Sequence, residues 1–194
     1  MLIAAILTAS GLMYLSYSIT ESMSNAQNAA IIGVIGLFLG YFYTAKPIRL
    51  VSRRGLGEIA IFLAFGPLLT LGSLFAISTS TIELFSVDFY NAIYLGIPLG
   101  LLTTNILYIN QFPDANSDSK TGKNHLVVTL GKKIARWGYL IILLGAFLAE
   151  VAVFIAKMLG YEDVEDKPNV DFWQRLENGE VLDADNMFSN DTIK

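Results

Sequence analysis

Five apolar runs, at residues 1–19, 29–43, 59–77, 92–109 and 137–155, constrain this chain more than any other feature of it. Each approaches the roughly 20 residues that a helix needs to cross a hydrocarbon core of about 30 Å. The second is the shortest, and "GLFLGYFYT" extends its aromatic end. The expectation is an all-α fold: a multi-pass transmembrane helix bundle of about five spans, occupying residues 1–159. Composition agrees, since 54% of the 194 residues are hydrophobic and the mean hydropathy is +0.53, values that soluble domains rarely sustain. The first run starts at Met1 with neither a basic leader nor a small-residue cleavage site, so it reads as a span rather than a signal peptide. With no cysteine, disulfides and thiolate metal sites are excluded.

The net charge of −4 hides an uneven distribution. Ten acidic residues fall between positions 162 and 191, in a polar tail (160–194) read as disordered or a short surface helix. The body is basic, and its basic residues occupy alternate connections. Lys46, Arg49, Arg53 and Arg54 lie between the second and third runs; Lys120, Lys123, Lys132, Lys133 and Arg136 lie between the fourth and fifth. The other two connections, "TESMSNAQN" and "STSTIELFSVDFYN", hold no lysine or arginine. The positive-inside rule then places both basic loops in the cytoplasm, with the N-terminus inside and the acidic tail outside. A lipid bilayer is the expected surrounding and nucleic acid is not an expected partner. Small residues in "GVIGLFLG", "FGPLLTLGS" and "LGIPLG" suit close helix packing in lipid. Pro67 and Pro98 each remove a helical hydrogen bond and are expected to kink their helices.

The most unusual polar stretch is "NQFPDANSDSKTGKNHL", residues 110–126, which follows directly on the fourth run. Pro113 suits the first turn of a helix, which would set Asp114 and Asp118, four apart, on one face. Two carboxylates so placed can hold a hard cation such as Mg²⁺, whose shell is completed by phosphate oxygens and water. Lys120 and Lys123 would complement oxygens that the metal leaves uncovered. A hydrated loop accommodates Asn116, Ser117 and Ser119 equally well, so spacing alone leaves both readings open. The other basic loop, "YTAKPIRLVSRRGLGE", adds four cations on the same membrane face, where arginine forks bind phosphate oxygens and also serve topology. Gly55 and Gly57 would let that backbone turn tightly back into the membrane.

"NQFPDANSDSKTGKNHLVVTLG" resembles the second aspartate-rich motif of the UbiA superfamily of intramembrane prenyltransferases. "YTAKPIRLVSRRGLGEIAIFLAFGPLLTLGS" is similar to the loop and helix that precede it, particularly in the branch that prenylates 1,4-dihydroxy-2-naphthoate in menaquinone synthesis. The likeness covers residues 40–138. It implies a helical bundle in which Mg²⁺ grips the diphosphate of a polyprenyl donor, and an aromatic acceptor of the quinone-precursor type captures the prenyl group. Carried over by position, Asp114 and Asp118 become the metal ligands and catalytic aspartates. Lys46, Arg49, Arg53, Lys120 and Lys123 become candidates for the diphosphate. Asn110 would orient the metal shell or the acceptor, and Tyr43 would face a cation or sit in an interfacial aromatic belt.

The departures are equally specific. No first aspartate-rich motif precedes Tyr43, where the connections offer only Glu21. The five runs align with the family's third to seventh helices, leaving the first two and last two without counterparts. Turnover would then need carboxylates from a partner chain, so the competing reading is a truncated, non-catalytic membrane protein that binds lipid diphosphates or serves as a partner subunit. A small anion transporter is a third reading, disfavoured because the aspartate pair would repel an anion unless a metal bridged them. Glu150, inside the fifth run, is a functional suspect by its depth or a carboxylate that reaches the interface. His125, the sole histidine, reads as a solvated polar residue.

Overall fold

A chain that must satisfy every backbone group inside lipid has helices as its simplest solution, and the long apolar runs adopt them. The computed structural model describes residues 2–20 and 23–159. In order, these form α1 (Leu2–Thr20), α2 (Met23–Thr44), a 3-10 turn (Leu50–Ser52), α3 (Leu56–Phe65), α4 (Pro67–Ile77), α5 (Val87–Lys120), α6 (Leu126–Leu130) and α7 (Lys132–Met158). The described residues include no strand. Met23–Thr44, Leu56–Ile77, Val87–Lys120 and Lys132–Met158 are long and apolar enough to cross a membrane. The first run forms α1, which packs against α2 and α4. The architecture is therefore the expected all-helical, multi-pass one. Large apolar side chains such as Ile141, Leu148 and Phe154 point outward, as suits lipid-facing surfaces. The reading of the acidic tail falls outside the described residues.

The prolines behave differently from one another. Gly66 divides the third run, and Pro67 opens α4 where its missing N–H costs nothing. Pro98 ends nothing: α5 runs for 34 residues through both Pro98 and Pro113. Pro113 therefore lies inside a helix that started at Val87, not in the first turn of a new one. That helix begins where Ser86 Oγ accepts a hydrogen bond from the Phe89 N–H at 3.3 Å, far upstream of the motif. At 1.5 Å per residue α5 is about 51 Å long, against a hydrocarbon core of about 30 Å. Its last turns, residues 110–120, continue the helix past the end of the apolar run.

The third and fourth spans cross backbone to backbone. A methyl group added at Gly96 would lie 2.7 Å from the Pro67 nitrogen, and one at Gly100 would lie 2.6 Å from the Phe62 carbonyl oxygen. The small residues thus serve close helix approach, as expected of spans that gain no hydrophobic drive from lipid. Leu71, Phe75 and Ile82 form one buried cluster, and Tyr108, Ala115, Val127 and Ala135 form another.

Hydrogen bonds pair the loops end by end, all within the unit Met1–Phe154. At one end buried Asn25 donates to the Ser80 carbonyl at 2.8 Å and accepts from the Ile82 N–H at 2.9 Å. At the other the Asn124 N–H donates to the Ser52 carbonyl at 3.1 Å. The second contact joins the two basic connections.

Candidate functional site

The termination of α5 builds the site. Thr121 caps the helix and Gly122 follows with φ +74°, a left-handed backbone that glycine adopts without the penalty a Cβ would bring. The Lys123 N–H returns to the Asp118 carbonyl at 3.0 Å and the Gly122 N–H approaches the Ser119 carbonyl at 3.5 Å. This pair of bonds is a Schellman termination. It folds the chain back so that Lys123 Nζ reaches Asp118 Oδ1 at 3.0 Å. The glycine between Lys120 and Lys123 is thus a helix stop that delivers a cation to a carboxylate. Asp118 Oδ2 lies 3.3 Å from His125 Nε2, within ion-pair distance but not aligned as a hydrogen bond. His125 is only 2% exposed, so it is not the solvated side chain that its polar neighbours suggest. Val127, two residues on, is fully buried in the cluster of Tyr108, Ala115 and Ala135.

Asn110 and Asp114 precede Asp118 at four-residue steps on the same continuous helix, so the three share one face with a slow drift. Both are exposed. Asp114 and Asp118 stand about 8 and 14 Å along the helix beyond Ile109, the end of the apolar run.

In the other basic loop, Lys46 is exposed and precedes a cis peptide to Pro47. Arg49 adopts a left-handed backbone, φ +47° and ψ +64°. Arg53 does something the sequence does not suggest: its Nε donates to the Ile48 carbonyl at 2.6 Å and its Nη2 to the Pro47 carbonyl at 3.3 Å. Part of its fork is thereby spent on shaping its own loop. Gly55, with φ +74°, turns the chain into α3, and a Cβ at Gly57 would lie 3.1 Å from Val51 Cα, so both glycines serve the tight return expected of them. The structure brings Asp118, Lys123 and His125 together and joins their loop to the Lys46–Arg53 loop through Asn124 and Ser52. Among the described residues no ion pair links Lys46, Arg49 or Lys120 to either aspartate.

Beneath this surface lies a polar layer that the sequence reading passed over. Glu58, the third residue of α3, is 4% exposed. Its Oε1 accepts from Gln111 Nε2 and from the Leu126 N–H, both at 3.1 Å. Tyr108 and Asn105 are buried in the same stretch of α5, and the Glu58 carboxyl lies within electrostatic reach of Tyr43 and Tyr108. Tyr43 itself is half-buried, one residue before the end of α2. The signal for Glu58 was present, since an ionisable residue opening an apolar run is a functional suspect by default. Glu150, by contrast, is exposed and borders an apolar groove of about 260 Å³ between α5 and α7, with Leu95, Leu99 and Phe147.

Among the described residues no three His, Asp or Glu side chains group closely enough to hold a metal alone. The two aspartates still fit Mg²⁺, which commonly takes one or two carboxylates and completes its shell with substrate phosphates.

The sequence profile of the UbiA prenyltransferase family matches residues 1–162. The chain belongs to this family. Among curated relatives, 1,4-dihydroxy-2-naphthoate octaprenyltransferase of Haemophilus influenzae is 30% identical over 161 residues, 83% of this chain and 49% of that protein. The 2-carboxy-1,4-naphthoquinone phytyltransferase of Synechocystis is 33% identical over 126 residues, 64% of this chain and 36% of that protein. The Escherichia coli 1,4-dihydroxy-2-naphthoate octaprenyltransferase is 32% identical over 118 residues, 61% and 36% of the respective lengths. The chain spans about half or less of the length of these relatives. No solved structure matches it significantly.

Proposed function

We propose that this family member takes part in transferring a polyprenyl group from a prenyl diphosphate to an aromatic acceptor of the naphthoate type, in the membrane and with Mg²⁺. The observation that carries this reading is the close of α5, where Asp118, Lys123 and His125 meet and the following Asn124 is tied to the Lys46–Arg54 loop at Ser52. The relatives' names supply the acceptor class.

In this reading Asp114 and Asp118 hold the metal, with Asn110 on the same helix face. Bound there, Mg²⁺ would neutralise charge on the diphosphate and ease its departure. Lys123 is poised to exchange the Asp118 carboxylate for a diphosphate oxygen, since both are anionic acceptors. Lys46, Arg49 and Lys120 supply further cations, and Arg53 does so with the part of its fork not donated to Ile48 and Pro47. Tyr43 offers an aromatic face to the allylic cation left when diphosphate leaves. By the positive-inside rule this end of the bundle faces the cytoplasm.

A second reading is a lipid-diphosphate binder without turnover that relies on a partner chain; it is favoured by the sequence before Tyr43, which offers Glu21 as its only carboxylate side chain for a second metal. The test is binding of a polyprenyl thiodiphosphate to the purified chain in lipid nanodiscs, with Mg²⁺ and with EDTA, followed by addition of 1,4-dihydroxy-2-naphthoate and a hydrolysable donor. Metal-dependent binding with product formation supports transfer. Metal-dependent binding without product supports the second reading. Binding that ignores the metal, or none at all, overturns the assignment of the aspartates.

A further inference from the structure

Burying a carboxyl group is costly unless hydrogen bonds replace its water, yet Glu58 is 4% exposed and directs a single oxygen at two donors from separate elements. One donor is Gln111, on α5 three residues before Asp114. The other is the Leu126 N–H, at the start of α6 and next to His125, whose imidazole lies against Asp118. Oxygen Oε1 is thus the common point of the two chain segments that flank the motif. The rest of the segment from Thr121 to His125 is held by its own helix stop and by Asn124 on Ser52. The α3 backbone is itself anchored, since Thr104 Oγ1, which donates to the Gly100 carbonyl at 2.7 Å, also reaches the Glu58 carbonyl at 3.5 Å.

We propose that Glu58 is a positioning residue of the metal and diphosphate site: from α3 it fixes the spacing between the aspartate-bearing turns of α5 and the returning Lys123–Leu126 segment, and so presets the Asp118 carboxylate. This rests on the functional reading above. Groups that orient a metal's ligands without touching the metal commonly change affinity by about 10–100-fold when removed. Reach is the property that matters. Glu58→Gln keeps an accepting oxygen at the same distance from the backbone, whereas Glu58→Asp keeps the carboxyl group but withdraws it by one methylene.

The experiment titrates Mg²⁺ against binding of polyprenyl thiodiphosphate to wild type, E58Q and E58D in nanodiscs, with Phe75→Ala as a variant destabilised in the other buried cluster. Amide hydrogen exchange over residues 121–131 is followed in the metal-free proteins. The expected result is a Mg²⁺ midpoint raised about tenfold in E58D, most of it recovered in E58Q, with no change in F75A. Exchange over 121–131 should quicken in E58D and not in F75A. Wild-type and E58D midpoints that coincide, with unchanged exchange, overturn the positioning role while leaving the functional reading intact. A larger defect in E58Q than in E58D also overturns it, because the acid group rather than its reach would then be what counts. If wild type itself shows no Mg²⁺-dependent binding, the functional reading fails and this inference with it.

Discussion

Asp118 has each carboxylate oxygen beside a nitrogen of the loop that follows it, Lys123 Nζ at 3.0 Å and His125 Nε2 at 3.3 Å. Asp114, four residues earlier, stands exposed. The two aspartates are therefore unequal, one held by its neighbours and one exposed on the helix surface. Asp118→Asn should abolish Mg²⁺-dependent binding of a prenyl thiodiphosphate, and Asp114→Asn should weaken it at least tenfold; calorimetric titration in nanodiscs checks both. The loop's geometry hangs on Gly122. A side chain at φ +74° costs about 1–2 kcal/mol, so Gly122→Ala should lower the thermal midpoint measurably. It should also weaken donor binding through misplacement of Lys123, whereas Gly122→Asn, which tolerates this backbone better, should restore much of both.

At the scale of elements, the spans and their order were readable because length and apolar continuity leave a chain few alternatives in lipid. The motif's residues were readable as well, since Asp114 and Asp118 declare themselves by type and spacing. What escaped was how α5 carries them. Pro113 suggests a fresh helix start, and only the continuity of α5 from its cap at Ser86 shows the motif to be the closing turns of a 34-residue helix. Glu58 and His125 escaped for a different reason: Glu58 could be suspected from its place at the head of an apolar run, but its partners, Gln111 and the Leu126 N–H, lie 53 and 68 positions away, and nothing in the polar neighbours of His125 announces that it is buried. The helix crossing yields its own prediction. Gly96→Ala or Gly100→Ala should destabilise the bundle by about 1–3 kcal/mol through overpacking against backbone. Gly33→Ala, which meets nothing within 4 Å, should be neutral or stabilise by about 0.5–1 kcal/mol. Thermal unfolding in a single detergent ranks all three.

For the whole molecule, the paired loops define two ends, and the absence of cysteine makes those ends easy to address. Single substitutions Arg54→Cys and Thr121→Cys should react with an impermeant maleimide from one side of sealed vesicles. Thr79→Cys and Glu83→Cys should react from the other. In inverted vesicles the first pair should be the accessible one, as a cytoplasmic basic face requires. Labelling of all four from one side would dismantle the topology on which the site is built.

The clasp at the opposite end bears on how the chain is made. Asn25 finds its partners 55 and 57 residues later, at Ser80 and Ile82. During synthesis that amide has neither partner until the ribosome has delivered the whole of the α3–α4 span. Helix α2 is therefore made before this clasp can close, and the clasp waits for a segment that is translated after it.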